Sequence, residues 1–144
     1  MMRWRTPMTR RAGLAGLIAL LLQVLPGRAA AQAETVPLRV RRTIFEHGDV
    51  PGAPSLQQVM GEFDIPAGGA TGRHFHHGTE ISHLIEGAAT LAIDGEAPRM
   101  LKPGDSFLMP ARKIHNLTAD ITGPARVIAV WVVAKDKPLV ETVS

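Results

Sequence analysis

The chain has 144 residues, 45% hydrophobic and 20% charged, with no cysteine and no tyrosine; that length builds one domain. The formal net charge of +3 is unevenly spread: residues 1–33 carry five arginines and no acid, leaving 11 basic against 13 acidic residues in 34–144, a net of −2. Without a basic folded domain, a nucleic-acid partner has no compositional support, and without cysteine, disulfides and a lipidated cysteine are excluded.

The first element is a leader. Arg3, Arg5, Arg10 and Arg11 precede an apolar run from Gly13 to Leu25, and Arg28-Ala-Ala-Ala-Gln-Ala33 offers small-residue cleavage sites. This is the pattern of a cleavable export signal over residues 1–33. A membrane anchor needs about 20 apolar residues, and Gln23 and Pro26 interrupt the run before that. Thr9-Arg10-Arg11 resembles a twin-arginine signal. The expected location is therefore periplasmic or secreted, with no membrane association once the leader is cut after Ala31 or Ala33.

From Val36 onward, short apolar runs alternate with turn signals every eight to twelve residues, and no helical periodicity lasts three turns. Leu38 to Phe45 and Leu56 to Ile65 read as strands, separated by a loop carrying Gly48, Pro51, Gly52 and Pro54. Pro66 to Gly72 forms the next loop. Ile81 to Ile85 and Ala88 to Ile93 follow, and Asp94-Gly95 predicts a two-residue hairpin that pairs Ala88–Ile93 with Pro98–Leu101. Asp105 to Met109, Ile114 to Thr118 and Val127 to Val133 complete the set. With no helix to cover a sheet face, about eight such strands bury their apolar sides against one another as a sandwich or barrel. Met60, Phe107, Met109, Ile114 and Trp131 are expected in the core or lining a pocket. The tail from Lys135 to Ser144 is polar and is expected to fray or to lie across a neighbouring subunit.

Four of the six histidines, His74, His76, His77 and His83, fall within ten residues, and His115 lies further on. Strand alternation points His74 and His76 the same way, about 7 Å apart. The turn His77-Gly78-Thr79 lets Glu80 return to the same point, and His115 enters from another strand. Three nitrogens and one carboxylate suit a divalent first-row metal, and octahedral geometry leaves two positions for other ligands. Alternation turns Arg73, His77 and His83 away from that point, and Glu86 reads as a solvated strand-end carboxylate.

The spacing of these residues resembles the cupin family. Its first motif, a glycine, five residues, His-x-His, three residues, Glu, six residues and a glycine, is matched by Gly68, His74, His76, Glu80 and Gly87. Its second is matched by Gly104, Pro110 and His115, with Arg112 in place of a usual glycine and Ala119 in place of a usual asparagine. The resemblance covers residues 56–133 of a cupin domain at 34–144. It implies an all-β jelly-roll barrel (a double-stranded β-helix) with a divalent metal inside, held by His74, His76, Glu80 and His115, and usually a homodimer.

The absence of cysteine and tyrosine argues against cysteine–tyrosine thiol dioxygenases and against tyrosine-dependent lyases and epimerases. A three-histidine, one-glutamate site is similar to that of quercetinase-type dioxygenases. On that likeness, the expectation is a metal-dependent oxidoreductase acting on a small oxygen-rich substrate, with Glu80 as ligand and general base. The sequence leaves iron, manganese, nickel, copper and zinc open. Two alternatives stand beside this one: a non-catalytic metal- or ligand-binding module, and a metal-dependent lyase or decarboxylase.

Overall fold

In the computed structural model, residues 39–144 are described, so the leader expected over residues 1–33 lies outside the described residues. Those residues contain ten strands and no helix: β1 (Arg41–Val50), β2 (Ala53–Ile65), β3 (His74–Phe75), β4 (Gly78–Glu86), β5 (Ala89–Ile93), β6 (Arg99–Leu101), β7 (Ser106–Met109), β8 (His115–Ala119), β9 (Ala125–Ala134) and β10 (Glu141–Thr142). They form two five-stranded antiparallel sheets, one ordered β1-β2-β9-β4-β7 and the other β10-β3-β8-β5-β6. This is the all-β jelly roll that the sequence predicts.

Alternation sets the core. In β9 the buried face is Ala125, Val127, Ala129, Trp131 and Val133, each at most 1% exposed, while the intervening residues are half-covered or exposed. Val59, Phe63 and Ile65 of β2 and Leu84 of β4 join them from the same sheet. Leu91, Leu117 and Ala119 answer from the other. Each fully buried branched side chain contributes roughly 1.5–3 kcal/mol relative to exposure. Met60, beside buried Val59, faces outward and is 40% exposed, where it lines a surface pocket with His47 and Gln58, the pocket-lining one of the two expected roles. Phe107, Met109 and Trp131 are buried as expected, and Ile114 is half-buried.

Three local predictions are corrected. β1 runs on through Gly48 to Val50, and only Pro51 and Gly52 turn the chain, because Val50 pairs with Ala53 and Gly52 supplies a φ of +79°. Asp94 and Gly95 do occupy a turn, closed by Glu96 N–H donating to the Ile93 carbonyl at 3.0 Å. Pairing then resumes at Leu91 with Arg99, one residue out of two-residue-hairpin register, and Pro98, which has no N–H to donate, stays outside β6. Finally, the tail folds back on its own domain: Glu141 and Thr142 pair with Phe75 and His74, and Val143 N–H donates to the Arg73 carbonyl at 2.9 Å.

Gly78 opens β4 and does not serve as a turn residue. A Cβ there would stand 1.9 Å from the Val132 carbonyl oxygen, so only glycine lets β4 approach β9 at this point. That approach sets the height of Glu80, two residues on.

Candidate metal centre

The two sheets face each other across the site. His74 on β3 pairs in register with His115 on β8, and their rings lie 4.2 Å apart. His76 has already left β3 but keeps the alternation, so it turns inward while Phe75 is only half-buried. Glu80 comes from the opposite sheet, where it faces Trp131 of β9 and Met109 of β7 in register. All four side chains are at most 5% exposed, and one ligand atom from each lies within 4.8 Å of all the others.

The histidines are oriented by backbone carbonyls. His74 Nδ1 lies 2.8 Å from the Gly72 oxygen, His76 Nδ1 2.6 Å from that of Leu139, and His115 Nδ1 2.9 Å from that of Lys113. A carbonyl only accepts, so each Nδ1 carries the proton and each Nε2 keeps a lone pair. Fixing the tautomer through the second nitrogen is how proteins prepare imidazoles for a cation.

Glu80 Oε2 lies 2.6 Å from His76 Nε2 and 3.3 Å from His115 Nε2. Yet neither His76 Nε2 nor Glu80 Oε2 has a hydrogen-bond partner, because the proton of His76 is spent on Leu139. Lone-pair atoms crowded together without a proton in line, and buried, call for a cation among them. The other carboxylate oxygen, Oε1, accepts from the Ser82 hydroxyl, and Ser82 is itself buried.

Electrostatics follow the burial. Desolvation pushes the His74 pKa down to about 4, against the pull of the Gly72 carbonyl, with His115 and His76 lowering it further. For Glu80, burial pushes the carboxyl up and the Ser82 hydroxyl donated to Oε1 opposes it. Three neutral imidazoles and one carboxylate fit a divalent first-row ion.

The turn before His115 is fastened to the site. Arg112 N–H donates to the His76 carbonyl at 2.9 Å, and Arg112 adopts a φ of +63°, the left-handed conformation for which glycine is usual. A recess of about 10 Å³ opens over the ligand atoms, lined further by Arg42, Phe63, Thr71, Leu117 and Trp131. That is room for about one water.

The remaining candidates lie elsewhere, as alternation predicts. His77 pairs with Glu141 at 2.5 Å, His83 contacts the Ser106 hydroxyl at 2.9 Å, Arg73 pairs with Asp94 at 2.5 Å, and exposed Glu86 lies 3.6 Å from Arg126. Sequence reasoning missed Ser82, Arg42 and the Leu139 carbonyl. For Ser82 the signal was present, since position i+2 from Glu80 shares its strand face.

Comparison with known proteins agrees with this architecture. A family model described as Cupin domain matches residues 61–132, half of the chain. A search of curated protein sequences gives no significant match. Among solved structures, the chain is similar to the DMSP lyase DddQ from Ruegeria pomeroyi DSS-3, with 25% identity, a TM-score of 0.57 and coverage of 72% of this chain and 51% of that one. It is similar to KdgF from Halomonas sp., with 25% identity, a TM-score of 0.56 and coverage of 72% and 87%. It also shares its fold with an oxalate oxidase in complex with glycolate, with 21% identity, a TM-score of 0.58 and coverage of 76% and 57%. The chain spans about half the length of the lyase and of the oxidase.

Proposed function

The chain belongs to the cupin domain family, and from that premise we propose that it is an exported metal-dependent oxidoreductase acting on a small oxygen-rich molecule, with chemistry of the quercetinase type. The observation that carries the reading is the set of three histidines with inward Nε2 lone pairs around one buried, unpartnered carboxylate oxygen. His74, His76, His115 and Glu80 would hold the ion, and iron, manganese, nickel, copper and zinc all suit those donors. A redox-active ion bound there would supply Lewis acidity and electron transfer.

The chain's own groups position and protect the reactants. Glu80 is tied at Oε1 by Ser82, which leaves Oε2 turned to the recess as the base that receives a substrate hydroxyl proton. Phe63, Leu117 and Trp131 wall the recess with apolar surface and keep bulk water out. Among the described residues no tyrosine, lysine or second carboxylate lines it, which favours oxidation over lysis or decarboxylation. Export through the leader at 1–33 to the periplasm or beyond, and assembly as a homodimer, belong to the same proposal.

A second reading, a metal-bearing binding module without turnover, is favoured by the small size of the recess. Oxygen uptake with phenolic, diketone and small hydroxycarboxylate substrates separates the two. Under the enzyme reading, Glu80→Gln abolishes uptake while the three histidines retain metal. Full activity in that variant would remove Glu80 as the base, and a metal-loaded wild type inert towards the whole substrate set would leave the binding module.

A further inference from the structure

Adjacent arginines on β1 have different fates. Arg41 faces outward and is satisfied by Asp64, with Nε at 3.0 Å and Nη2 at 2.8 Å from the same carboxylate oxygen. Arg42 alternates to the inner side, stands opposite buried Phe63 in register, and lines the recess with His74, His76 and Glu80. Its guanidinium makes no hydrogen bond and no ion pair among the described residues. Partial desolvation pushes it below its ordinary pKa against the opposing pull of Glu80, and it remains a cation at any physiological pH.

A second donor is idle on a residue of the recess wall. Trp131 lines the recess, is 1% exposed, and its buried Nε1–H finds no acceptor; an indole N–H buried without a partner costs free energy. The charge balance points the same way as these two donors. Glu80 cancels one charge of a divalent ion, so ion, carboxylate and Arg42 together leave roughly +2 beside apolar walls. A neutral polyol or phenol would leave that charge uncompensated.

We propose that Arg42 is the anchor for the substrate, that Trp131 Nε1–H assists it, and that the substrate class is therefore a small carboxylate. This deepens the metal-centre reading above and rests on it. The planar fork of a guanidinium matches a carboxylate in two parallel hydrogen bonds. Arg42 sits on a solvent-exposed strand at the mouth, where it can hold the anionic end of a molecule whose other end enters the small recess. The site offers two donors besides the ligand residues, which satisfies a carboxylate better than a phosphate with its three acceptor oxygens.

The test is calorimetric binding of glycolate, with ethylene glycol as its neutral counterpart, to the full chain loaded with Mn2+. Wild type, Arg42→Met and Arg42→Lys are compared, with bound manganese measured in each. The expected result is glycolate binding by wild type without ethylene glycol binding. Arg42→Met should weaken glycolate about 30-fold at unchanged manganese content, and Arg42→Lys should recover part of that loss. Equal glycolate affinity in Arg42→Met, equal affinity of wild type for ethylene glycol, or no glycolate binding by manganese-loaded wild type would each overturn the anchor alone. A wild type that takes up no divalent metal would overturn the metal centre and the anchor together.

Discussion

The two sheets are built to different standards. The β1-β2-β9-β4-β7 sheet rests on long strands of 13, 10 and 9 residues in β2, β9 and β4, with β2 and β9 in unbroken register over ten pairs. The other sheet has strands of two to five residues, and β3 meets β8 at a single pair, His74 with His115. Yet this weaker sheet and the connection leaving it supply all three histidines, while the stronger one contributes Glu80, Ser82 and the Trp131 wall. The long sheet fixes a platform, and the short one is held in place by turns, by the returning tail and by the ion its histidines are arranged to receive.

The largest effect is expected from damage to the platform. In Gly78→Ala the added methyl meets a backbone oxygen between two central strands, where neither partner can yield by a rotamer change. A loss of about 3–5 kcal/mol in stability, read by denaturant unfolding, is expected from overpacking and a displaced strand. A loss below about 1 kcal/mol would show that β4 and β9 are not held as closely as the structure places them.

Acid should act on the short sheet. His74 has a folded pKa of about 4 against an ordinary 6.5, so between those values the unfolded chain binds the extra proton. Stability is therefore full above pH 6.5 and falls towards pH 4, by an order of 3 kcal/mol for this group. The melting temperature of metal-stripped protein should fall across this window, and His74→Asn should flatten the slope above pH 4.5. A flat wild-type profile would contradict the burial of a neutral imidazole.

The tail gives the smallest effect and the sharpest contrast. Removing residues 138–144 deletes β10 and the carbonyl that orients His76, but touches no ligand side chain. Metal affinity should fall about 10- to 100-fold, as for other partners that orient a ligand, while β2-β9-β4 persists in the circular dichroism. Unchanged affinity would mean that His76 does not depend on Leu139.

How much of this was legible in the sequence follows the same division. The long strands announced themselves by alternation, as in Val127 to Val133, and the ligands by histidine spacing, because side-chain chemistry is written residue by residue. The groups that orient the histidines were not legible: Gly72, Leu139 and Lys113 act through carbonyls that every residue owns. β10 has two polar residues and no pattern, and its pairing with β3 spans more than sixty residues of chain. Arg42 looked like any strand arginine until register put it opposite Phe63. Whether Met60 fills the core or lines a pocket was not legible either, because a one-residue shift in phase exchanges the two faces of a strand; the phase of β2 is fixed by buried Val59, Phe63 and Ile65, which turns Met60 to a surface pocket.

The central claim is that His74, His76, Glu80 and His115 form one divalent-metal site. Elemental analysis of the chain purified without added metal, beside His115→Ala, tests it most directly. About one first-row divalent ion per wild-type chain is expected, with near-complete loss in a variant that remains folded. A wild type without metal under any loading condition, or a folded His115→Ala with its full complement, would contradict it.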